Sequence, residues 1–175
     1  PGWRPISFPL GPLVRAGVYK VEVAVGDSVA ATEVVAEEDP RVEISDDDRL
    51  AHLEAVLHVG EMMAASMDGD EVVQDLEQQL RSLEEKESLP EEVTSAVESI
   101  SRKLVELEMK LSRTGGLERR LGATGPPPAG RPVPLYPRLT GLYVSLNGYT
   151  EPPNPEQQER MPALSIELND LLSAL

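Results

Sequence analysis

Six apolar residues between positions 93 and 111 recur at alternating intervals of four and three, and this spacing constrains the fold more than any other feature. They are Val93, Val97, Ile100, Leu104, Leu107 and Leu111. Such intervals place side chains on one face of an α-helix. Gly115-Gly116 follows, and glycine is typical of a helix end. The stretch therefore predicts a long amphipathic helix that must bury its apolar face.

Two further apolar stripes precede this helix and are separated by Asp68-Gly69-Asp70. The first comprises Leu50, Leu53, Leu57, Gly60, Ala64 and Met67, and the second comprises Val72, Val73, Leu76, Leu80 and Leu83. Ser45 with Asp48 predicts a helix start, and Asp-Gly-Asp predicts an interruption. We expect two long antiparallel helices, one within about 70–87 and one within about 90–113, joined at Ser88-Leu89-Pro90. The stripes at 50–67 and 93–111 could pack within one chain or between two.

The last part of the sequence predicts two shorter helices. Leu139, Leu142, Tyr143 and Leu146 indicate one that ends at Gly148. Asn154-Pro155-Glu156-Gln157 is a strong helix start, with Asn as the cap and Pro in the first turn. An apolar stripe follows and Pro162 lies within it, so we expect a kink there. The stripe consists of Met161, Leu164, Leu168, Leu171 and Leu175.

A different periodicity governs the segment before the helices. In residues 17–25 apolar residues alternate with others, which predicts a half-buried β-strand. Gly26-Asp27-Ser28 indicates a turn, and residues 29–36 predict the returning strand. A lone hairpin is only marginally stable in water, so it needs further strands, a helix face or a partner.

Together these patterns predict an α+β fold that is mainly α: an extended arm, a β-hairpin or small sheet, and an antiparallel helical bundle. The expected divisions are a Pro-rich arm, a hairpin, a bundle, a Pro-rich loop and C-terminal helices that complete the bundle. Their ranges are 1–13, 14–44, 45–121, 122–137 and 138–175.

Charge and composition exclude several classes of protein. The formal net charge is −15, with 31 acidic against 16 basic residues, and residues 37–114 carry almost all of the excess. Such a chain repels phosphate, so nucleic acid is not an expected partner. The chain has no cysteine, which excludes disulfides and thiolate-bound metals. No apolar run approaches the length of a membrane span, about 18–20 residues.

The residues that could carry chemistry are better explained structurally. His52 and His58 are six apart, which places them on different faces of a helix and disfavours joint metal binding. Asp68 to Glu71 lack the spacing of an EF-hand, and Glu84 to Glu87 read as a solvated face. The cluster of Met62, Met63 and Met67 indicates core filling more than a binding surface. We expect no catalytic, cofactor or metal site, and hence no enzyme.

Expected partner-binding residues lie in the two Pro-rich segments. The arm carries costly apolar groups on a stretch without regular structure, which could anchor it on its own domain or on a partner. The five residues are Trp3, Ile6, Phe8, Leu10 and, in the Pro-rich loop, Tyr136.

One stretch resembles a known family. Gly17, Tyr19, Val21, Val23, Val25 and Gly26, followed by Asp39-Pro40-Arg41, are similar to the segment after the β-propeller in bacterial sortilin-like, BNR/Asp-box repeat proteins. The C-terminal Leu139 to Tyr143, Pro152-Pro153 and Leu168 to Leu172 are similar to the helical end of those proteins. No Asp-box repeat is present, so activity sited on the propeller does not carry over.

The resemblance implies a hairpin that closes a small sandwich-like domain, followed by helices, in a bacterial protein exported to the periplasm or outside the cell. The chain begins with Pro1, which favours a processed chain or a piece of a longer one. From all this we expect a docking subunit that binds other protein subunits, in an exported or membrane-associated complex, from the periplasmic side without spanning the membrane. The alternative is an accessory C-terminal module of an exported propeller hydrolase or carbohydrate-binding protein.

Overall fold

A computed structural model describes the hairpin and four helices of the chain. The fold is mainly α, with a two-stranded antiparallel hairpin that precedes the helices, as the sequence predicts. The elements are β1 Gly17–Val25, β2 Ser28–Ala36, α1 Asp46–Glu84, α2 Glu91–Leu111, α3 Leu135–Asn147 and α4 Pro155–Leu172. The described residues are 12, 14–41, 43–85, 89–111, 132–148 and 151–175.

The hairpin has the predicted strands and a two-residue turn. β1 pairs with β2 from Gly17 opposite Ala36 to Val25 opposite Ser28. Gly26 has a φ of 58° in the turn, a left-handed conformation that glycine adopts without a steric penalty. The turn chemistry and the alternation therefore specify one register.

The interruption expected at Asp68-Gly69-Asp70 is wrong, because α1 runs through it as one helix of 39 residues. A Cβ placed on Gly69 would lie 2.6 Å from Leu172 Cδ2 and 3.6 Å from Leu111 Cδ1. Gly69 is therefore the point where α2 and α4 approach α1 closely. Tertiary packing offsets the weak helix propensity of glycine.

The buried face of α1 is also different from the expected one. Leu50, Leu57 and Met67, from the predicted stripe at 50–67, remain 41%, 47% and 50% exposed. The buried face includes small and polar residues, which a search for apolar spacing overlooks. It consists of His52, Ala55, Val56, Val59, Met62, Ser66, Gly69, Val73 and Glu77.

α2 follows the predicted heptad, and its later turns enter the core. Val97, Leu104, Leu107 and Leu111 are buried, whereas Val93 and Ile100 stay exposed. The carbonyl of Pro90 accepts hydrogen bonds from the N–H groups of the first turn. Ser88 and Gly115-Gly116, the expected start and end signals, lie outside the described residues.

α3 begins earlier than expected, so residues 135–137 of the predicted 122–137 loop are helical. Pro137 is tolerated because N–H groups of a first turn have no partner within the helix. Residues 122–131 of that loop lie outside the described residues. α3 ends before Gly148, as predicted.

α4 begins at the predicted Asn154 cap, which forms a capping box with Gln157. Asn154 Oδ1 accepts from Gln157 N–H at 2.9 Å, and Gln157 Oε1 accepts from Asn154 N–H at 2.9 Å. Pro162 lies inside this helix. Arg138 Nη1 of α3 donates to Glu167 Oε1 of α4 over 2.7 Å, which joins the two C-terminal helices.

The core lies where the helices meet along α1. Leu146 of α3 contacts His52, and Leu172 of α4 and Leu111 of α2 meet at Gly69. The N-terminal half of α1 is thus packed by α3 and the C-terminal half by α2. The most completely buried apolar side chains are Leu111, Leu135, Leu139, Leu142, Val56, Val59 and Val73. None of the described helices has the length and apolarity that a bilayer crossing requires.

Candidate functional site

The two faces of the hairpin differ in charge. Tyr19 lies opposite Val34, and Val23 lies opposite Ala30. Directly opposed residues of an antiparallel pair project from the same face, and alternate residues share it. One face is therefore free of charged side chains, and we call it the apolar face. Its residues are Gly17, Tyr19, Val21, Val23 and Val25 of β1 and Ser28, Ala30, Thr32, Val34 and Ala36 of β2.

The opposite face, here the charged face, carries all three charged side chains of the two strands. Lys20 Nζ lies 2.6 Å from Glu22 Oε1, and Lys20 is directly opposite Glu33. Both partners of the first pair are largely exposed, so the ion pair adds little stability. This face also carries Val18, Val29 and Val35, which are 62–66% exposed, so it combines charged groups with exposed apolar ones.

The apolar face is open to solvent. Val23 is 59% exposed and Val25 73%. No described residue of a helix comes close to either strand. Burial of a valine side chain contributes about 1.5–3 kcal/mol relative to its exposure, so a partner that covers this face would gain stability from several such groups. The hairpin therefore has an unused apolar surface, whereas the helices bury theirs against each other.

A hydrogen bond orders the chain just before the hairpin. Tyr19 Oη donates to the carbonyl oxygen of Arg15 over 2.8 Å. The bond joins residues four apart in the sequence and holds Arg15 close to the start of β1. Tyr19 is accordingly the least exposed large apolar residue of the two strands, at 37%.

The connector after the hairpin is held by charged contacts. Glu38 Oε2 lies 2.6 Å from Arg49 Nη2 of α1, and Arg49 is partly buried. Arg49 Nε also donates to the carbonyl of Ile44 over 3.3 Å. These contacts tie the connector to the first turns of α1, where the side chain of Ser45 accepts from Asp48 N–H at 3.1 Å.

Asp39-Pro40-Arg41 forms a turn that the aspartate side chain closes. Asp39 Oδ1 accepts from Arg41 Nε at 2.9 Å and from Arg41 N–H at 3.0 Å. The guanidinium hydrogen bond, with the backbone bond second, holds the pKa of the Asp39 carboxyl below its ordinary value against slight desolvation. The same contact raises the pKa of Arg41.

The two histidines have separate environments. His52 is buried, and its Nε2 lies 3.0 Å from the carbonyl oxygen of Leu146. A carbonyl only accepts, so this nitrogen carries the hydrogen. His58 is exposed on another face of α1. His52 therefore caps the C-terminal end of α3, a structural role.

Structural contacts also account for Asp70 of the acidic cluster and for most of the methionine cluster. Asp70 Oδ2 accepts from Gln74 Nε2 at 2.8 Å. Within the described part of the chain, no group of three His, Asp or Glu residues is arranged to hold a metal ion. Met62 is buried and Met63 is packed against the core, whereas Met67 is half exposed. Core filling therefore accounts for two of the three methionines.

Four of the five expected partner-binding residues, Trp3, Ile6, Phe8 and Leu10, lie outside the described residues. The fifth, Tyr136, is half-buried in the first turn of α3, and its carbonyl accepts from Thr140 Oγ1 at 2.9 Å. The structure does not bring Tyr136 to the hairpin.

Sequence reasoning did not assign the apolar face as a site. The available signal was the alternation of Tyr19, Val21, Val23 and Val25 in a hairpin with no neighbouring strand in the sequence pattern. Comparison of the chain with protein-family models, curated proteins and solved structures found no match.

Proposed function

We propose that this chain is a non-catalytic docking subunit that binds and stabilises a larger exported or membrane-associated protein complex from the periplasmic side. The observation that carries the proposal is the exposed apolar face beside a helical bundle that buries its own core. Exposed contiguous apolar surface marks interaction sites. The partners are other protein subunits, and the chain needs no cofactor for this role.

The hairpin offers two kinds of contact to such a partner. Among the described residues each strand has an unpaired edge, to which an extended strand of the partner can add through main-chain hydrogen bonds. The apolar face adds area from side chains. Trp3 and Phe8 of the arm then contribute further anchors, because large aromatic groups dominate interface energetics.

Distribution of charge supports protein rather than nucleic acid or an anionic membrane surface as the partner. The acidic excess of residues 37–114 lies on the helical part, and it repels phosphate groups. The strands of the hairpin carry only Lys20, Glu22 and Glu33, all on the charged face. The apolar face can therefore dock without desolvating a charge.

An alternative function has its own supporting observation. The order of hairpin, Asp39-Pro40-Arg41 turn and helices is the order that the resemblance to sortilin-like proteins implies, and the Asp39–Arg41 contacts give those residues a structural role. Under this alternative the chain is the accessory C-terminal module of an exported propeller hydrolase or carbohydrate-binding protein.

Gentle purification of the native protein, followed by native mass spectrometry, tests the proposal. We expect co-migration with other subunits at fixed stoichiometry. Val23→Lys, on the apolar face, should release the chain, whereas Ala24→Lys, on the charged face of the same strand, should not. A lone monomer would contradict the docking function. A much larger covalent mass would favour the propeller alternative.

A further inference from the structure

We propose that the outward side of α1 and the neighbouring face of α3 form a groove that binds a basic amphipathic helix of a protein partner. The inference rests on the proposed docking function, and it adds a second contact surface on the helical bundle, away from the hairpin. Three observations carry it. They are an apolar stripe that the core does not use, a row of acidic residues beside that stripe, and two tyrosines on α3.

The apolar stripe that the sequence predicts at 50–67 lies on the outward side of α1. Its intervals of three and four are those of the a and d positions of a coiled-coil seam. At about 100° per residue, its centre lies roughly 150° around the helix from the centre of the buried face. α1 therefore has two apolar faces, and the other described helices leave much of the second uncovered. We call the second face the outer stripe, and its residues are Leu50, Leu53, Leu57, Gly60, Ala64 and Met67.

α3 borders the outer stripe on one side with an aromatic face. A Cβ placed on Gly60 would lie 3.7 Å from Tyr143 Cε2, so Tyr143 packs beside the stripe. Tyr136 precedes Tyr143 by seven residues, about two helical turns, and therefore shares its face of α3. Both tyrosines are half-buried. Tyrosine is enriched among the residues that dominate binding energy, so this face suits the second wall of a docking groove.

An acidic row borders the outer stripe on the side away from α3. Glu54, Glu61 and Asp68 each follow an a-position residue of the stripe by four, which places them at successive e positions. All three are exposed, and none has an ion-pair partner among the described residues. Charged residues at e positions choose the partner of a coiled-coil helix through ion pairs. The acidic row therefore calls for lysine or arginine on the helix that covers the stripe.

The acidic row also disfavours a second copy of this chain as the occupant. In an antiparallel pair of copies the e positions face each other, so each acidic row would meet the same carboxylates and repel them. In a parallel pair they would face the g positions, where Val56 is wholly buried in the core and Arg49 already pairs with Glu38. The net charge of −15 adds repulsion between copies. A helix of opposite charge meets neither obstacle.

Two synthetic peptides test the inference with the full chain. The basic peptide has three heptads with leucine at a and d, lysine at e and g, and alanine or glutamine elsewhere. The acidic peptide has glutamate in place of each lysine. Fluorescence anisotropy of the labelled peptides measures binding at low and at high salt. We expect the basic peptide to bind, more weakly as salt screens the ion pairs, and the acidic peptide not to bind.

The first pair of variants tests the apolar stripe. Leu57→Ser should weaken binding of the basic peptide about tenfold, because the exposed half of this side chain no longer gains from burial. Ile166→Ser is the matched control at an exposed position of α4, which does not form the groove, and it should leave the affinity within about twofold. Circular dichroism at 222 nm reports that each variant is folded.

The second pair tests the acidic row without altering apolar packing. Glu54→Gln combined with Glu61→Gln should weaken binding about threefold or more at low salt and should reduce its salt dependence. Glu98→Gln combined with Glu106→Gln changes the net charge equally at exposed positions of α2. This control should have less than half of that effect, because its carboxylates do not border the groove.

Absence of binding by the basic peptide, or equal binding of the two peptides, would overturn the inference. Loss of binding through Val23→Ser but not through Leu57→Ser would also overturn it and would place the peptide on the hairpin. A dimer that Leu57→Ser dissociates in sedimentation equilibrium would overturn it in favour of a second copy.

Failure of the groove remains distinct from failure of the docking function. A native chain that co-migrates with other subunits, but does not bind the basic peptide, docks without the groove. A lone monomer that binds the peptide through Leu57 and the acidic row retains the groove and contradicts the docking function.

Discussion

The hairpin and the helical bundle each have a periodic apolar face, but the bundle buries its face and the hairpin exposes its own. Leu139 and Leu142 of α3 are wholly buried among the other helices, whereas Val23 and Val25 of β1 are mainly exposed. Both regions have the correct periodicity for their secondary structure. The difference teaches that a periodic apolar face specifies an element but leaves open what covers it. Within the described part of the chain, the bundle contains its own covering elements and the hairpin does not.

The largest expected effect contrasts one truncation in each region. Leu139→Ala removes a fully buried side chain and should lower the free energy of unfolding by about 3 kcal/mol. Val23→Ala should change it by less than about 0.5 kcal/mol, because the side chain is largely solvated in the free chain. Urea unfolding followed by circular dichroism at 222 nm measures both. A comparable loss for the two variants would break the contrast.

The second prediction concerns the histidines. His52→Leu leaves the carbonyl of Leu146 without its buried donor and should cost about 1–3 kcal/mol. His58→Leu is the matched control at an exposed position, and it should stay within about 0.5 kcal/mol of the parent. Thermal melts of the three proteins provide the comparison. Equal melting temperatures would show that the His52 contact has no net value.

The third prediction compares two helical glycines. Gly69→Ala forces a Cβ to within 2.6 Å of Leu172, so repacking should outweigh the gain in helix propensity and lower stability by about 1 kcal/mol. At Gly60 the nearest atom is Tyr143 Cε2 at 3.7 Å, an ordinary contact. Gly60→Ala should therefore raise stability by up to about 1 kcal/mol. Gains of the same size at both positions would argue against the close packing at Gly69.

The smallest expected effect is the pH dependence of the Asp39–Arg41 contact, which lies between the hairpin and α1. The Arg41 contacts lower the pKa of Asp39. In the unfolded chain this carboxyl takes up its proton at a higher pH, so the stabilisation by the turn is fully present above the ordinary aspartate pKa. It is lost as the pH falls through the lowered value.

Carbon-13 NMR of the Asp39 carboxyl follows this titration directly. In the Arg41→Gln variant the pKa of Asp39 should return towards its ordinary value. An unchanged titration in that variant would show that Arg41 is not the cause.

Local rules predicted the strands, the Asn154 helix cap and the class of fold, because each depends on residues that are close in sequence. Gly26 in its turn and Asn154 with Gln157 are examples. The predicted break at Gly69 was wrong because the benefit of a missing Cβ there comes from Leu111 and Leu172, which lie far away in the sequence.

The prediction of which face of α1 is buried was wrong for a related reason. Ser66 and Gly69 are buried there through close approach of other helices, and small or polar residues carry no apolar signal. The candidate site was visible in the sequence only as an alternation of valines. That pattern predicts a half-buried strand and cannot show that none of the four described helices covers it.

The length of α1 has a consequence for the order of folding. At 1.5 Å per residue its 39 residues span about 58 Å, with α2 along one half and α3 along the other. Only six residues of the sequence separate α1 from α2, so many of their contacts close small loops. His52 and Leu146 are 94 residues apart, and their contact must close a large one. We expect the half of α1 nearest the strands to consolidate last and to open first. The hairpin is thus connected to the end of α1 that we expect to open first, so binding of a partner to the hairpin would most increase the protection of that end from local unfolding.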